Sequence, residues 1–176
     1  MRNLSDFETD ITFRVKLRAG IWRFVNSTLV TPNLCPSKLR HIILTLNGAK
    51  IGSKVVLRSG LKIHFPWNLE IGDDCWIGED VWFINHQKVK IGSNVCISQR
   101  SIICSGGHDY RSTSLEYAHK PIEIKDGAWI CLDAKILPGV TIGECSVVSA
   151  GEIARKSVPD YSMLVGGVIR PIDPPK

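Results

Sequence analysis

The 176-residue sequence is short of several things, and each absence excludes something. None of its six cysteines stands in a C-x-x-C pair or at zinc-finger spacing from a histidine, so neither a dithiol nor a common structural zinc motif is present. The cysteines read instead as reduced thiols, five of them within a repetitive region where a free thiol acts as a small hydrophobe. No apolar run approaches the roughly 18 residues needed to span a bilayer. The start, MRNLSDFETDITF, lacks a charged segment followed by an apolar one, so no signal peptide is expected. Like charges never run five or six in a row, and the excess of 22 Lys and Arg over 17 Asp and Glu is modest. That excess fits an anionic small molecule or a membrane surface at least as well as nucleic acid. With no RNA- or DNA-binding motif, no nucleic-acid partner is expected. The length suits one domain with a solid core.

What the chain has in abundance is a six-residue period. Ile-Gly pairs stand at 51–52, 71–72, 77–78, 91–92 and 142–143. Aliphatic residues recur at that spacing in Ile51, Leu57, Ile63, in Ile71, Ile77 and on to Phe83, and in Ile91, Ile97, Ile103. The longest register runs Ile124, Ile130, Ile136, Ile142, Val148, Ala154. Starts at 51, 71 and 91 lie 20 apart, which is 18 plus two, whereas 124 and 142 lie 18 apart. Leu69-Glu70 and Val89-Lys90 mark the extra pairs.

A period of six is too long for alternation in one strand and does not match a helix. It suits a short strand and a corner, three of which close a triangular coil that stacks on the next. The aliphatic at position i points inward, a second small or apolar residue follows at i+4, and glycine at i+1 eases the corner. Such stacking buries a continuous core that one repeat could not bury alone. The expected fold is therefore all-β, a parallel β-helix.

Two segments leave the pattern. Residues 1–50 read as a helical cap, with helices in VKLRAGIWRFVNSTLV and SKLRHIILTLNGAK punctuated by Pro32 and Pro36. The second helix groups Leu39, Ile42, Ile43 and Leu46 opposite Lys38, Arg40 and His41. That apolar face is expected to close the open end of the solenoid, with contact of residues 14–46 with a membrane surface as the alternative. The second break, residues 105–121 (SGGHDYRSTSLEYAHKP), is a polar insertion, where function is expected. The β-helix is thus expected over 51–170, with a tail at 171–176.

The pairs Ile51-Gly52, Ile71-Gly72 and Ile91-Gly92, then Gly106-Gly107-His108-Asp109, Trp129, Pro138-Gly139-Val140-Thr141-Ile142-Gly143, Ala150-Gly151 and Lys156-Ser157-Val158-Pro159 together resemble the hexapeptide-repeat acetyltransferases. The likeness is greatest to the colanic acid biosynthesis acetyltransferase subgroup, through GAKIG at 48–52, PW at 66–67, ISQ at 97–99 and GHD at 107–109. It implies a left-handed β-helix, a homotrimer, acetyl-CoA as co-substrate without a metal, and a sugar or glycan acceptor, free or linked to a nucleotide or lipid. A cytoplasmic enzyme follows, at most peripheral to the inner face of the membrane.

Acyl transfer to a hydroxyl needs a base, an oxyanion donor and a donor groove. His108 is the base candidate, since imidazole can accept and return a proton near neutrality and two glycines precede it. The family carries a histidine base at this motif position. By the same resemblance, backbone amides near Leu132 and Ala150 would contact the thioester and pantetheine arm, while Arg155, Lys156 and Arg170 would meet the CoA phosphates. His64, His86 and His108 are spaced 22 and 22, which invites a metal reading like that of the γ-class carbonic anhydrases. Their repeat phases differ, so they are expected on different corners and no metal site is expected. Glu152 departs from the family's A-G-S, placing a carboxylate where a small inward residue is usual. The reading is an O-acetyltransferase for a surface polysaccharide. An N-acetyltransferase on an amino sugar is the near alternative, and a non-catalytic hexapeptide-repeat scaffold is the alternative of another class.

Overall fold

The computed structural model describes residues 12–174. Helix α1 (Phe13–Val25) runs into a π-helical turn, Asn26–Val30, and is followed by α2 (Ser37–Leu46). From Lys50 the chain winds in coils of three short strands. The first coil holds β1 (Lys50–Ile51), β2 (Val56–Leu57) and β3 (Lys62–Ile63), and the second β4 (Leu69–Ile71), β5 (Trp76–Ile77) and β6 (Trp82–Ile84). The third holds β7 (Val89–Ile91), β8 (Cys96–Ile97) and β9 (Ile102–Cys104), and the fourth β10 (Ile122–Ile124), β11 (Trp129–Ile130) and β12 (Lys135–Ile136). The fifth holds β13 (Thr141–Ile142), β14 (Val147–Val148) and β15 (Ile153–Ala154). An antiparallel hairpin, β16 (Ser162–Val165) and β17 (Val168–Pro171), extends the second face at the far end.

Strands of like position stack into three parallel sheets, so the solenoid is a three-faced prism. The expected parallel β-helix is what forms. Its register aligns the repeat aliphatics: Ile51, Ile71, Ile91, Ile124 and Ile142 pair in succession on the first face. Leu57, Ile77, Ile97, Ile130, Val148 and Leu164 do so on the second, and Ile63, Phe83, Ile103, Ile136 and Ala154 on the third. Cys75, Val81, Val95, Ala128, Ala134 and Val140 fill the corners from inside. Each coil supplies one inward side chain per face, and only stacking removes these chains from water.

The glycine of the Ile-Gly pairs serves a different purpose from the one read in sequence. A Cβ on Gly72 would lie 2.7 Å from the Gly92 carbonyl carbon, so close stacking of coils excludes any side chain there. The left-handed corner conformation is borne two residues later, by Lys54, Asp74 and Asn94 at φ 54, 55 and 57.

At the open end, the strand carbonyls of the first coil have no earlier coil to bond to, because each coil's strand N–H groups donate toward the next coil. The helical segment supplies the donors. Trp22 Nε1 donates to Ile63 O at 2.6 Å, Thr31 Oγ1 to Leu61 O at 2.9 Å, and Arg40 Nη1 to Leu57 O at 3.2 Å. This overturns the expected packing of α2. Arg40 and Leu44 are the buried residues of that helix and Ile43 packs half-buried against the core, whereas Leu39, Ile42 and Leu46 are exposed. Polar satisfaction of a sheet end, rather than apolar burial, sets the roll of α2.

Candidate active site

Three departures from the 18-residue period looked separate in sequence, yet they fall on one edge of the prism, where the third face turns back to the first. Ile63 to Ile71 and Phe83 to Ile91 each take eight residues, against six from Ile136 to Ile142. The third coil inserts residues 105–121 at the same edge, between β9 and β10. Asparagines tie the enlarged corners. The Phe65 N–H donates to Asn85 Oδ1 at 3.0 Å, Asn85 Nδ2 donates back to Phe65 O at 2.6 Å, and Asn68 Nδ2 donates to His86 O at 2.9 Å. Asn85 is wholly buried.

The insertion is an ordered finger. Lys120 N–H donates to Ser105 O at 3.0 Å across its neck, and Ala118 N–H to Gly107 O at 2.9 Å and Asp109 N–H to Glu116 O at 2.8 Å join its limbs. Ser105 Oγ, at 2.8 Å from the Gln87 N–H, fixes the neck to the coil before. Asp109 Oδ1 accepts from Arg111 N–H and Nε, which forms the turn and holds its carboxyl below the ordinary range.

This edge gathers four of the chain's five histidines, contrary to the expectation that the repeat phases would scatter them. Ring centroids lie 5.6 Å apart for His64 and His86, 4.7 Å for His86 and His119, 4.5 Å for His119 and Tyr117, and 5.2 Å for Tyr117 and His108. Phe65 lies 5.1 Å from His86 on the other side. Corner lengthening swings His86 out beneath Gly106 and toward His64, which repeat phase alone does not reveal. Among the described residues no group of three or more His, Cys, Asp or Glu has the geometry to hold a metal ion.

Burial, reinforced by His119, His64 and His108, pushes His86 down to about 4. Burial also lowers His64, with Arg23 adding to it, and lowers His119, with His108 adding to it. The inner row is therefore uncharged at neutral pH. His119 Nδ1 accepts the Gly107 N–H at 3.0 Å, so its ring proton sits on Nε2. His108, exposed at the finger, places Nδ1 2.5 Å from Leu115 O. A carbonyl only accepts, so Nδ1 carries the proton and the neutral ring bears its basic lone pair on Nε2.

The other candidates occupy other places. Leu132 and Ala150 sit on successive coils at the edge between the second and third faces, and Gly151 N–H donates to Leu132 O at 2.8 Å. The N–H groups of Cys131, Asp133, Ser149 and Gly151 all bond between coils, while those of Leu132 and Ala150 make no backbone bond among the described residues. Arg155 and Lys156 line a cleft of about 240 Å3 with Glu152, Ile153, Leu164 and Ile169. Arg170 stands on β17, opposite Met163, outside that lining. Glu152 turns outward and accepts the Gly167 N–H at 3.2 Å, so its carboxylate secures the terminal hairpin and is not desolvated in the core. Trp129 lies half-exposed on the second face, its Nε1 donating to Ser98 Oγ at 2.9 Å, away from the finger. Within one chain His108 and the Leu132–Ala150 corners thus lie on different edges.

The chain matches no family model. It is 37% identical over 163 residues, 90% of its own length and 89% of the relative's, to an Escherichia coli protein described as a colanic acid biosynthesis acetyltransferase, WcaF. Among solved structures, a hexapeptide-repeat-containing acetyltransferase from Vibrio cholerae superposes with a TM-score of 0.82 at 23% identity, covering 90% of this chain and 91% of that one. A galactoside acetyltransferase in complex with coenzyme A gives a TM-score of 0.81 at 20% identity, over 97% and 88% of the two chains. These structural likenesses establish a shared fold, the left-handed β-helix.

Proposed function

Because the chain belongs to the hexapeptide-repeat acetyltransferases, we propose that it moves the acetyl group of acetyl-CoA onto a sugar hydroxyl, with His108 as general base. The observation that carries the reading is the His108 ring, held through Nδ1 on Leu115 O in a limb of the ordered finger, opposite Tyr117, with its lone pair on Nε2. In the proposed step, Nε2 takes the hydroxyl proton as that oxygen attacks the thioester carbonyl. The Leu132 N–H donates to the resulting oxyanion, and the C–S bond breaks. The departing thiolate then takes the proton from the His108 imidazolium. Burial holds the Cys96 and Cys131 thiols above their usual range, so neither is a ready nucleophile for an acyl-cysteine.

Donor contacts are assigned to the Ala150 N–H for the pantetheine arm and to Arg155 and Lys156 for phosphate, with Arg170 reaching in from the terminal hairpin. Their support is the shared cleft of the first two basic residues and the uncommitted corner amides. Since the base and the oxyanion corner lie on different edges of one prism, the reading requires a homotrimer in which the finger of one copy meets the Leu132–Ala150 edge of the next. The acceptor is read as a sugar of a surface polysaccharide, nucleotide- or lipid-linked. The relative described as a colanic acid acetyltransferase supports this. The cytoplasmic side of the membrane suits six unpaired cysteines. A peripheral contact of residues 14–46 with the inner membrane face completes the reading.

The test is thiol release from acetyl-CoA with activated and lipid-linked sugars as acceptors. His108→Ala should lower turnover by about 10²- to 10⁴-fold while circular dichroism and CoA binding persist. An unchanged rate excludes His108 as the base. Failure of CoA to bind by calorimetry at millimolar concentration sinks the donor assignment.

A further inference from the structure

The net charge of +5 conceals a segregation. Residues 12–69 hold ten Lys and Arg and no Asp or Glu, while residues 1–11 hold one basic and three acidic side chains and residues 70–176 eleven basic and fourteen acidic. The basic stretch comprises the two helices and the first coil, and the coil's Lys50, Lys54 and Arg58 already pair with Glu70, Asp74 and Glu79 of the second. Among the described residues, no ion pair engages Arg14, Lys16, Arg23 or Lys38 of the helices.

Both helices also carry their apolar stripes outward. On α1, Phe13, Leu17, Ile21 and Phe24 fall on one side at helical spacing and are 77%, 55%, 59% and 70% exposed. Trp22, half a turn away, is 1% exposed and hydrogen-bonds Ile63 O, which locks the roll of the helix with the stripe facing out. On α2 the inward Arg40 locks the roll in the same sense, leaving Leu39, Ile42 and Leu46 exposed. The linker adds Leu34 at 95%. No helix among the described residues is long and apolar enough to cross a membrane.

From these two observations we propose that the helical cap is a docking surface for an anionic lipid bilayer, with the α1 stripe inserted among the acyl chains and Arg14, Lys16, Arg23 and Lys38 resting on the headgroups. An exposed apolar stripe flanked by basic side chains is the arrangement of an interfacial helix. Charge decides between this occupant and a second copy of the chain. Two surfaces of this composition repel, which disfavours cap-to-cap pairing of two chains. A bilayer rich in anionic lipid supplies the negative charge that α1 and α2 lack. The inference deepens the location given above and is independent of the transfer chemistry.

The test is cosedimentation of the full chain with phosphatidylglycerol–phosphatidylcholine vesicles and with pure phosphatidylcholine vesicles, alongside sedimentation velocity without lipid. Binding is expected only with the anionic vesicles and should weaken as salt rises. Leu17→Ser with Phe24→Ser should reduce partitioning at least about tenfold, and Arg14→Gln with Lys16→Gln about fivefold for each charge removed. Neither pair should alter CoA binding or turnover on a soluble sugar, which separates failure of this surface from failure of the catalytic reading. Absence of binding to anionic vesicles, or unchanged partitioning of the Leu17–Phe24 variant, overturns the proposal. If that variant instead dissociates the oligomer without affecting lipid binding, a second copy is the occupant and the proposal falls.

Discussion

Replacement of Arg40 by methionine keeps the aliphatic stem and removes only the guanidinium. That group is 3% exposed and donates to Val30 O at 2.7 Å through Nε, to Leu57 O at 3.2 Å through Nη1 and to Pro32 O at 2.6 Å through Nη2. Burial lowers its pKa, the expected direction for a desolvated cation, yet an arginine remains charged at neutral pH. A hydrogen bond from a charged donor contributes about 1.5–3 kcal/mol, and a buried carbonyl left without a donor costs about 1–3 kcal/mol. Pro32 O is only partly buried, so water can replace the guanidinium there, which leaves two carbonyls to count. Arg40→Met should therefore destabilise the protein by about 3–5 kcal/mol, and at roughly 2–4 °C per kcal/mol for a chain of this size Tm should fall by about 10 °C. Because a solenoid can open from one end, hydrogen exchange should rise first in α2 and the first coil. Chemical denaturation and hydrogen-exchange mass spectrometry measure both effects. Had α2 packed through its leucines with Arg40 in water, the change would stay within about 0.5 kcal/mol. A value that small, with unaltered exchange in the cap, would refute the roll assigned to α2 and the argument that the first coil's carbonyls set it.

Two other perturbations probe the solenoid and its histidine edge. His86 has a folded pKa of about 4, below its usual 6.5, so the unfolded chain binds the proton more readily and stability falls as pH drops from about 6.5 to about 4. The full shift corresponds to about 3 kcal/mol, reduced to about 1–2 kcal/mol because the ring is only partly buried, and His86→Phe should flatten that slope in urea melts across the same interval. Gly72→Ala drives a Cβ against the backbone of Gly92 and should cost about 1–3 kcal/mol, while Gly20→Ala, with nothing within 4 Å, should stabilise α1 by about 0.5–1 kcal/mol. Equal effects of these two glycine substitutions on Tm would contradict the stacking account.

The sequence by itself determined the coil. A six-residue aliphatic period is local, it suits one buried side chain per short strand, and the ladders from Ile51 to Ile142 and from Leu57 to Val148 follow from it. It also marked the insertion and its histidine, because a polar stretch interrupts an otherwise regular count. The tertiary structure alone decided which departures share an edge. The lengthened corners at 64–70 and 84–90 and the finger at 105–121 stack because strand pairing aligns them across 20 and then 33 residues. Phase counting from the nearest isoleucine therefore scattered histidines that the fold gathers. It alone decided that Glu152 faces a hairpin N–H, since that hairpin is a later part of the chain. The roll of the N-terminal helices was likewise beyond the sequence pattern. Amphipathic spacing shows which side of a helix is apolar but not which side meets the protein. Here the stranded carbonyls of the first coil took Trp22 and Arg40 inward and left Leu17, Leu39, Ile42 and Leu46 outside.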